Sequence, residues 1–139
     1  MIASPKHIKQ LAKMAKEMAA EHYPKLRPSD EKIASLVTDC VSGASNYAEI
    51  AQDLTSGALL AHVSNNAWAE RKNAHILYFQ CSTPGEGIKM LRNFRRWVEG
   101  RRAIRYAGLH VDIDIDGRVK QLLVRTGFSQ SGGSYIFYN

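Results

Sequence analysis

Fourteen residues constrain this chain more than any other stretch: Tyr78-Phe79-Gln80-Cys81-Ser82-Thr83-Pro84-Gly85-Glu86-Gly87-Ile88-Lys89-Met90-Leu91. They continue a nearly unbroken apolar run from Ile76 and Leu77, as expected of a central strand covered on both faces. Two glycines two positions apart follow, and then a helical repeat with Ile88, Leu91, Phe94 and Val98 on one stripe and Gly100 at its end. In a strand, loop and helix of this kind the glycines let backbone N–H groups close on a ligand, and the helix N-terminus adds partial positive charge. Pyrophosphate is the natural ligand for such a place. An ordinary turn would also use the same glycines, and their spacing alone does not separate the two readings.

The rest of the chain supplies the context. Ser4-Pro5 is a polar cap followed by proline at the first helical position. Ile8, Leu11, Ala12, Ala15, Met18 and Ala19 then recur at helical spacing, which predicts a helix over 5–21 that Pro24 ends. Pro28-Ser29-Asp30-Glu31 starts a second helix, with Ile33, Leu36, Val37, Cys40 and Val41 on its stripe and Gly43 closing it. Cys40 therefore reads as a core thiol. The period changes to two at Tyr47, Glu49 and Ala51, and a turn at 53–57 leads to a second strand over 58–63. The third strand covers 74–81, Pro84 to Gly87 read as a tight loop, and the third helix follows. A strand over 104–115, a turn at Asp116-Gly117, a short helix over 118–125 and a last strand over 134–138 complete the chain. The order α-α-β-β-β-α-β-α-β implies an α/β fold, a mixed sheet with helices on both faces, in one domain over 1–139.

Charge narrows the partners without choosing among them. The formal net charge is +6, and Lys89, Arg92, Arg95, Arg96, Arg101 and Arg102 form its densest block. Such a surface attracts the phosphates of nucleic acid or of a nucleotide cofactor alike. The row Lys6, Lys9, Lys13 and Lys16 reads as the solvated face of the first helix. Cys40 and Cys81 lack metal-ligand spacing and do not make a disulfide scaffold. No apolar run would span a membrane, so the chain is expected to be soluble and cytoplasmic, with no membrane partner.

Residues 82–87 resemble the pyrophosphate loop of the GNAT superfamily of acetyltransferases, whose pattern is Gln or Arg, two residues, Gly, one residue, then Gly or Ala. Gly85 and Gly87 match, whereas Ser82 replaces the Gln or Arg. Glu86 brings a negative charge beside the phosphates, which Lys89 and Arg92 would offset. Val119, Leu122, Leu123, Gly127 and Phe128 are similar to the family's later helix with its terminal Gly-Phe pair. Aligned on that pair, Asp116 takes the place of an Asn that contacts the cofactor, and Leu123 that of a Tyr that protonates the departing thiolate. The element order agrees with the family once the first strand is shortened to Met1-Ile2-Ala3. Small phage-encoded GNAT-like proteins show similarly sparse motifs.

The resemblance implies a GNAT-like acyl-CoA N-acyltransferase fold, with acetyl-CoA as co-substrate and no metal. It implies direct transfer of an acetyl group to an amine on a small molecule or a protein. Two splayed strands, 74–81 and 104–115, would hold the pantetheine, with backbone groups of Phe79, Gln80 and Cys81 bonding its amide and polarising the thioester carbonyl. Ser82 and the amides of Gly85, Glu86, Gly87, Ile88 and Lys89 would meet the pyrophosphate, and Asp116 would contact the cofactor. Such fixed dipoles stabilise a developing oxyanion.

Removing the amine proton needs a base, and Glu49, Glu70, His110 and Asp112 are the candidates. Asp112, Asp114 and Asp116 alternate onto one strand face and read as a wet face rather than a metal site. Tyr135 and Tyr138 are candidates for the acid, though strand aromatics also pack. Cys81 has no histidine assigned to it as a nucleophile's partner, and His62 and His75 read as plain strand residues. A non-catalytic GNAT-like scaffold is the alternative that Ser82, Glu86 and Leu123 favour. A nucleic-acid binder, built on Arg92 to Arg102 with Phe94 and Trp97 interleaved, ranks below both because Phe94 belongs to the apolar stripe. A homodimer is left open.

Overall fold

Among the described residues every strand pair but one is antiparallel, and the exception positions the site. The computed structural model describes residues 1–110, 117–131 and 134–139. Its strands are β1 (Tyr47–Ile50), β2 (Gly57–Asn65), β3 (Lys72–Cys81), β4 (Ile104–His110), β5 (Ser129–Ser131) and β6 (Ser134–Tyr138), in the sheet order β1-β2-β3-β4-β6-β5. Only β3 and β4 are parallel, so a crossover must join them. That crossover is helix α3 (Pro84–Glu99). Residues 1–3 add to the edge through an Ile2 to Glu49 bridge, in the place expected for a shortened first strand.

Helices cover both faces, as the element order implies. A 3-10 turn, Pro5–His7, runs into α1 (Ile8–His22), and α2 (Asp30–Ser42) begins where the Ser29 hydroxyl accepts the Lys32 N–H. On this side Leu11, Val37 and Cys40 bury against Ala48, Ile50, Ala58, Leu60 and Tyr78. On the other side Met90, Leu91, Phe94 and Val98 of α3, with Leu123 of α4 (Gly117–Arg125), bury against Leu59, Ala61, Ala74 and Ile76. Cys40 is a core thiol, and burial pushes its pKa up to about 11.

Three details differ from expectation. Helix α3 begins at Pro84, inside the segment read as a loop, because proline suits the first helical position and the Gly87 N–H already bonds Thr83 O. Ser129–Ser131 forms a short strand beside β6, in a polar, wholly exposed triplet that carries no apolar period. The apolar run in β3 is not a uniformly covered strand but an alternating one interrupted by a bulge. Leu60 pairs Tyr78 while the next residue, Ala61, pairs Ile76, so Leu77 is extra. Leu77 and Tyr78 thus both meet the α1/α2 core, and Phe79 returns to the α3 side. Asp112, Asp114 and Asp116, and the expected strand beyond His110, lie outside the described residues.

Candidate functional site

The parallel pair separates partway along. Pairing runs from Lys72 opposite Ile104 to His75 opposite Gly108. Beyond it β3 stays with β2 as far as Cys81, and β4 stays with β6 through Leu109 and His110. Among the described residues no further pair joins β3 to β4. The Leu77 bulge falls just past the last pair, where an extra residue bends a strand. Among the described residues this leaves the carboxyl-end stretch of β3 without a pair on its β4 side, a crevice position that is the usual place for a ligand in such sheets.

Phe79, Gln80 and Cys81 lie on this open stretch of β3. Phe79 is half-buried against the α3 core, and Gln80 is exposed with Oε1 accepting from the Tyr78 hydroxyl at 2.9 Å. The Cys81 thiol is half-buried and donates to Thr83 O at 3.0 Å.

The N-terminus of α3 opens immediately after them. Thr83 is the N-cap but makes no side-chain cap bond, and Pro84 has no N–H. Gly87 donates back to Thr83 O at 3.2 Å, and Ile88 and Lys89 sit inside the helical ladder. The first-turn amides left for a ligand are therefore those of Gly85 and Glu86, fewer than the five expected from Gly85 to Lys89. The two glycines differ in kind. A Cβ at Gly85 would meet nothing within 4 Å, so this approach is open. A Cβ at Gly87 would lie 3.1 Å from Leu122 Cδ1 and 3.5 Å from Phe79 Cζ, so this glycine lets α3 settle onto β3 and α4.

Ser82 is committed elsewhere: its N–H and Oγ both donate to Ser56 O, at 2.7 and 3.1 Å. It fastens the helix entry to the β1–β2 turn, which Asp53 braces by accepting from the Thr55 and Ser56 amides at 2.9 and 2.8 Å. The Thr55 bond first, and then that from Ser56, lowers the Asp53 pKa. Glu86 sits half-buried in the first turn, favourable to the helix dipole and unfavourable to phosphate; Lys89 and Arg92 are exposed further along.

The candidate proton carriers scatter. Glu49 is 1% exposed on β1, at the sheet edge rather than at the crevice. Its Oε1 accepts from the Tyr47 hydroxyl at 2.7 Å, and its Oε2 from Asn93 at 3.0 Å and the Met1 ammonium at 3.2 Å. With its oxygens occupied by protein donors and no exposure, it has the surroundings of a structural carboxylate rather than the expected base. Tyr135 is buried on β6 opposite Leu109, beside the free half of β4, where His110 is the last described residue. Leu123 is 0% exposed, an apolar core residue where the sequence comparison implies an acid. Glu70 is exposed in the β2–β3 turn, at the opposite end of β3 from the crevice, and Asp112 and Asp116 lie outside the described residues. Sequence reasoning missed Leu77 and Ser56, since neither a bulge nor a carbonyl anchor has a residue-type signature.

Among the described residues there is no cluster of three or more His, Cys, Asp or Glu that could hold a metal, and no helix long and apolar enough to cross a membrane. No family profile and no curated protein matches the chain. Solved structures do. A chain of Arthrobacter sp. FB24 assigned as an acetyltransferase superposes with a TM-score of 0.72 at 18% identity, over 96% of this chain and 87% of that one. A GNAT-family acetyltransferase of Streptococcus pneumoniae gives 0.71 at 12% identity, over 98% and 95%. NAA60 of Arabidopsis thaliana, solved in complex with acetyl-CoA, gives 0.67 at 13% identity, over 100% and 98%. Likeness at such identities establishes a shared fold.

Proposed function

We propose that this chain, whose fold is that of the GNAT acetyltransferases, binds acetyl-CoA between β3 and β4 and transfers its acetyl group directly to an amine. One observation carries the reading: among the described residues the one parallel strand pair ends at His75 and Gly108, and the N-terminus of α3 opens at the same end of β3. The free edge of β3 at Phe79, Gln80 and Cys81 would bond the pantetheine amide as a further strand would, and would polarise the thioester carbonyl. The Gly85 and Glu86 amides and the helix dipole would take the pyrophosphate, with Lys89 and Arg92 offsetting Glu86. When bound, acetyl-CoA supplies an activated acetyl group; a C–N bond forms to the amine, the C–S bond breaks, and the thiolate takes a proton.

His110, which ends the described part of β4, is our candidate for removing the amine proton, with Asp112 close behind it in the chain. Tyr135, opposite Leu109, is our candidate for protonating the thiolate. Glu49 we assign to holding the sheet edge. The acceptor is an amine on a small molecule or a protein, and free Cys40 and Cys81 suit a cytoplasmic setting. One observation favours a second reading, a scaffold that binds acetyl-CoA without turnover: Leu123 fills the core at the position where the resemblance places the acid.

Calorimetric titration with acetyl-CoA tests this, using native protein beside Gly85→Asp. An Asp at that position meets no neighbour, favours the helix dipole and repels pyrophosphate, so folding persists while affinity falls about tenfold or more. Gly87→Asp would confuse the test by striking Leu122. Absence of binding by folded native protein overturns the proposal; binding with no transfer to any screened amine leaves the scaffold reading.

A further inference from the structure

Four rings cross the sheet on the face shared with α1 and α2. His62 on β2 lies 5.7 Å from His75 on β3, His75 lies 6.1 Å from Tyr106 on β4, and Tyr106 lies 5.8 Å from Tyr138 on β6, centroid to centroid. The alternation of each strand sets them there. Ala61, Ala74, Ala107 and Phe137, their immediate neighbours, all point into the α3 core, so the ladder points the other way. Helices α1 and α2 bury Ala58, Leu60 and Tyr78, further toward the other end of β2 and β3, and leave the ladder open. His62, His75 and Tyr106 are half-buried, while Tyr138 is 67% exposed.

A basic rim lies at the end of the sheet where β3 and β4 begin. The Lys72 N–H donates to Ala103 O at 2.8 Å, which sets Arg71 of the β2–β3 turn and Lys72 of β3 beside Arg102 and Arg105, which flank the start of β4. All four are exposed, and Glu70 is the acid among the adjacent turn residues. At the same turn Trp68 stands 96% exposed, its N–H held by Asn66 Oδ1 at 2.7 Å, while Asn66 is tied to Asn73. An exposed tryptophan on a braced turn, a row of imidazole and phenol rings, and a cationic edge are complementary to phosphates and unstacked bases together. An acidic peptide would satisfy the cations and leave the rings unused, and an aliphatic partner would find His and Tyr in place of an apolar patch.

We propose that this ring ladder, with Trp68 and its basic rim, binds single-stranded nucleic acid, bases against the rings and phosphates along Arg71, Arg102 and Arg105. Ring platforms on open sheets and cationic edges are the two elements such binding needs. The nucleic-acid surface suggested by the Arg92 to Arg102 cluster shares Arg102 with this rim, but its own rings are spent: Phe94 is fully buried, and Trp97 stacks on Phe94 with the Arg101 guanidinium 4.2 Å over it. The ladder lies on the paired stretch of β3 and β4 and reaches the last pair before the crevice at His75; it uses none of the backbone groups assigned to acetyl-CoA, so it does not depend on that reading.

The test is fluorescence anisotropy with labelled U-rich RNA and T-rich DNA single strands of roughly 12 nucleotides, beside a duplex of equal length. Single strands are expected to bind more tightly than duplex, with affinity falling steeply as salt rises. Tyr138→Ala and Trp68→Ala should each weaken single-strand binding about fivefold or more with the melting temperature unchanged. Arg71→Ala and Arg102→Ala should each reduce the salt slope by about one. RNA and DNA binding alike indicates stacking and phosphate contacts, and a preference for RNA indicates further contacts to the 2′-hydroxyl; both support the proposal. No binding at low salt, equal binding of duplex, equal binding of poly-glutamate, or insensitivity to both ring variants overturns it.

Discussion

The Tyr47 hydroxyl donates a 2.7 Å hydrogen bond to Glu49 Oε1, two residues along the same strand and inside the core. Burial first, and then the carboxylate itself, raise the Tyr47 pKa well above its ordinary value, so the phenol stays a donor. Asn93 of α3 completes the arrangement from across the core. Glu49→Ala removes the acceptor both groups share and should cost about 3 kcal/mol in urea unfolding, the scale for stranding buried donors. Glu49→Gln, which keeps an acceptor, should cost less. Should transferase activity be found, the Gln variant is expected to keep the native pH profile per folded molecule; loss of its acidic limb would return Glu49 to the role of base.

The two cysteines should separate cleanly toward a disulfide reagent. Cys40 is 2% exposed with its pKa pushed up to about 11, and thiolate is the reactive form. Cys81 is half-buried at the end of β3. Native protein is expected to release one equivalent quickly and the second only on unfolding. Saturating acetyl-CoA should slow the fast reaction; an unchanged rate while calorimetry shows binding would put the cofactor away from this loop.

Gly127 adopts φ +96 at the end of α4, and a Cβ there would collide with the Arg95 guanidinium. That guanidinium donates to Thr126 O at 2.9 Å and lies 4.5 Å over the Phe137 ring, joining α3, α4 and β6. Gly127→Ala should therefore cost about 2–3 kcal/mol, combining left-handed strain with a displaced charged hydrogen bond. Gly85→Ala, in open space, is the control expected to leave the unfolding midpoint nearly unchanged.

His75 has a pKa held below its ordinary value of 6.5, by burial first and by the neighbouring His62 second. A lowered value means the unfolded chain binds more protons than the folded one as pH falls below 6.5. The contribution of neutral His75 to stability is therefore present above 6.5 and lost as pH falls through its folded value. Melting temperature should drop between about pH 7 and pH 5, and His75→Gln should flatten that drop. An equal drop in the variant would assign the slope to other groups.

Local chemistry was readable directly. The helix starts at Ser4-Pro5 and Ser29, the stop at Gly127, the core stripe of Leu91, Phe94 and Val98, and the core thiol Cys40 each depend on neighbours within a few residues, and each stands where the sequence places it. Residue type and spacing by themselves determined the helices, most strands and their order, but not the junction at Thr83, where the segment read as a loop is the first turn of α3. Tertiary structure decided what those parts do together. The parting of β3 from β4 depends on a bulge at Leu77 that only pairing with β2 creates. The difference between Gly85 and Gly87 depends on Leu122, thirty-five positions after Gly87. The burial of Glu49 depends on Tyr47, Asn93 and Met1 converging from three segments, and the ring ladder depends on the registers of four strands. The physical reason is one of range: caps, turns and amphipathic periods are short-range free energies, whereas a crevice and a surface are set by side chains brought together from distant positions by burial.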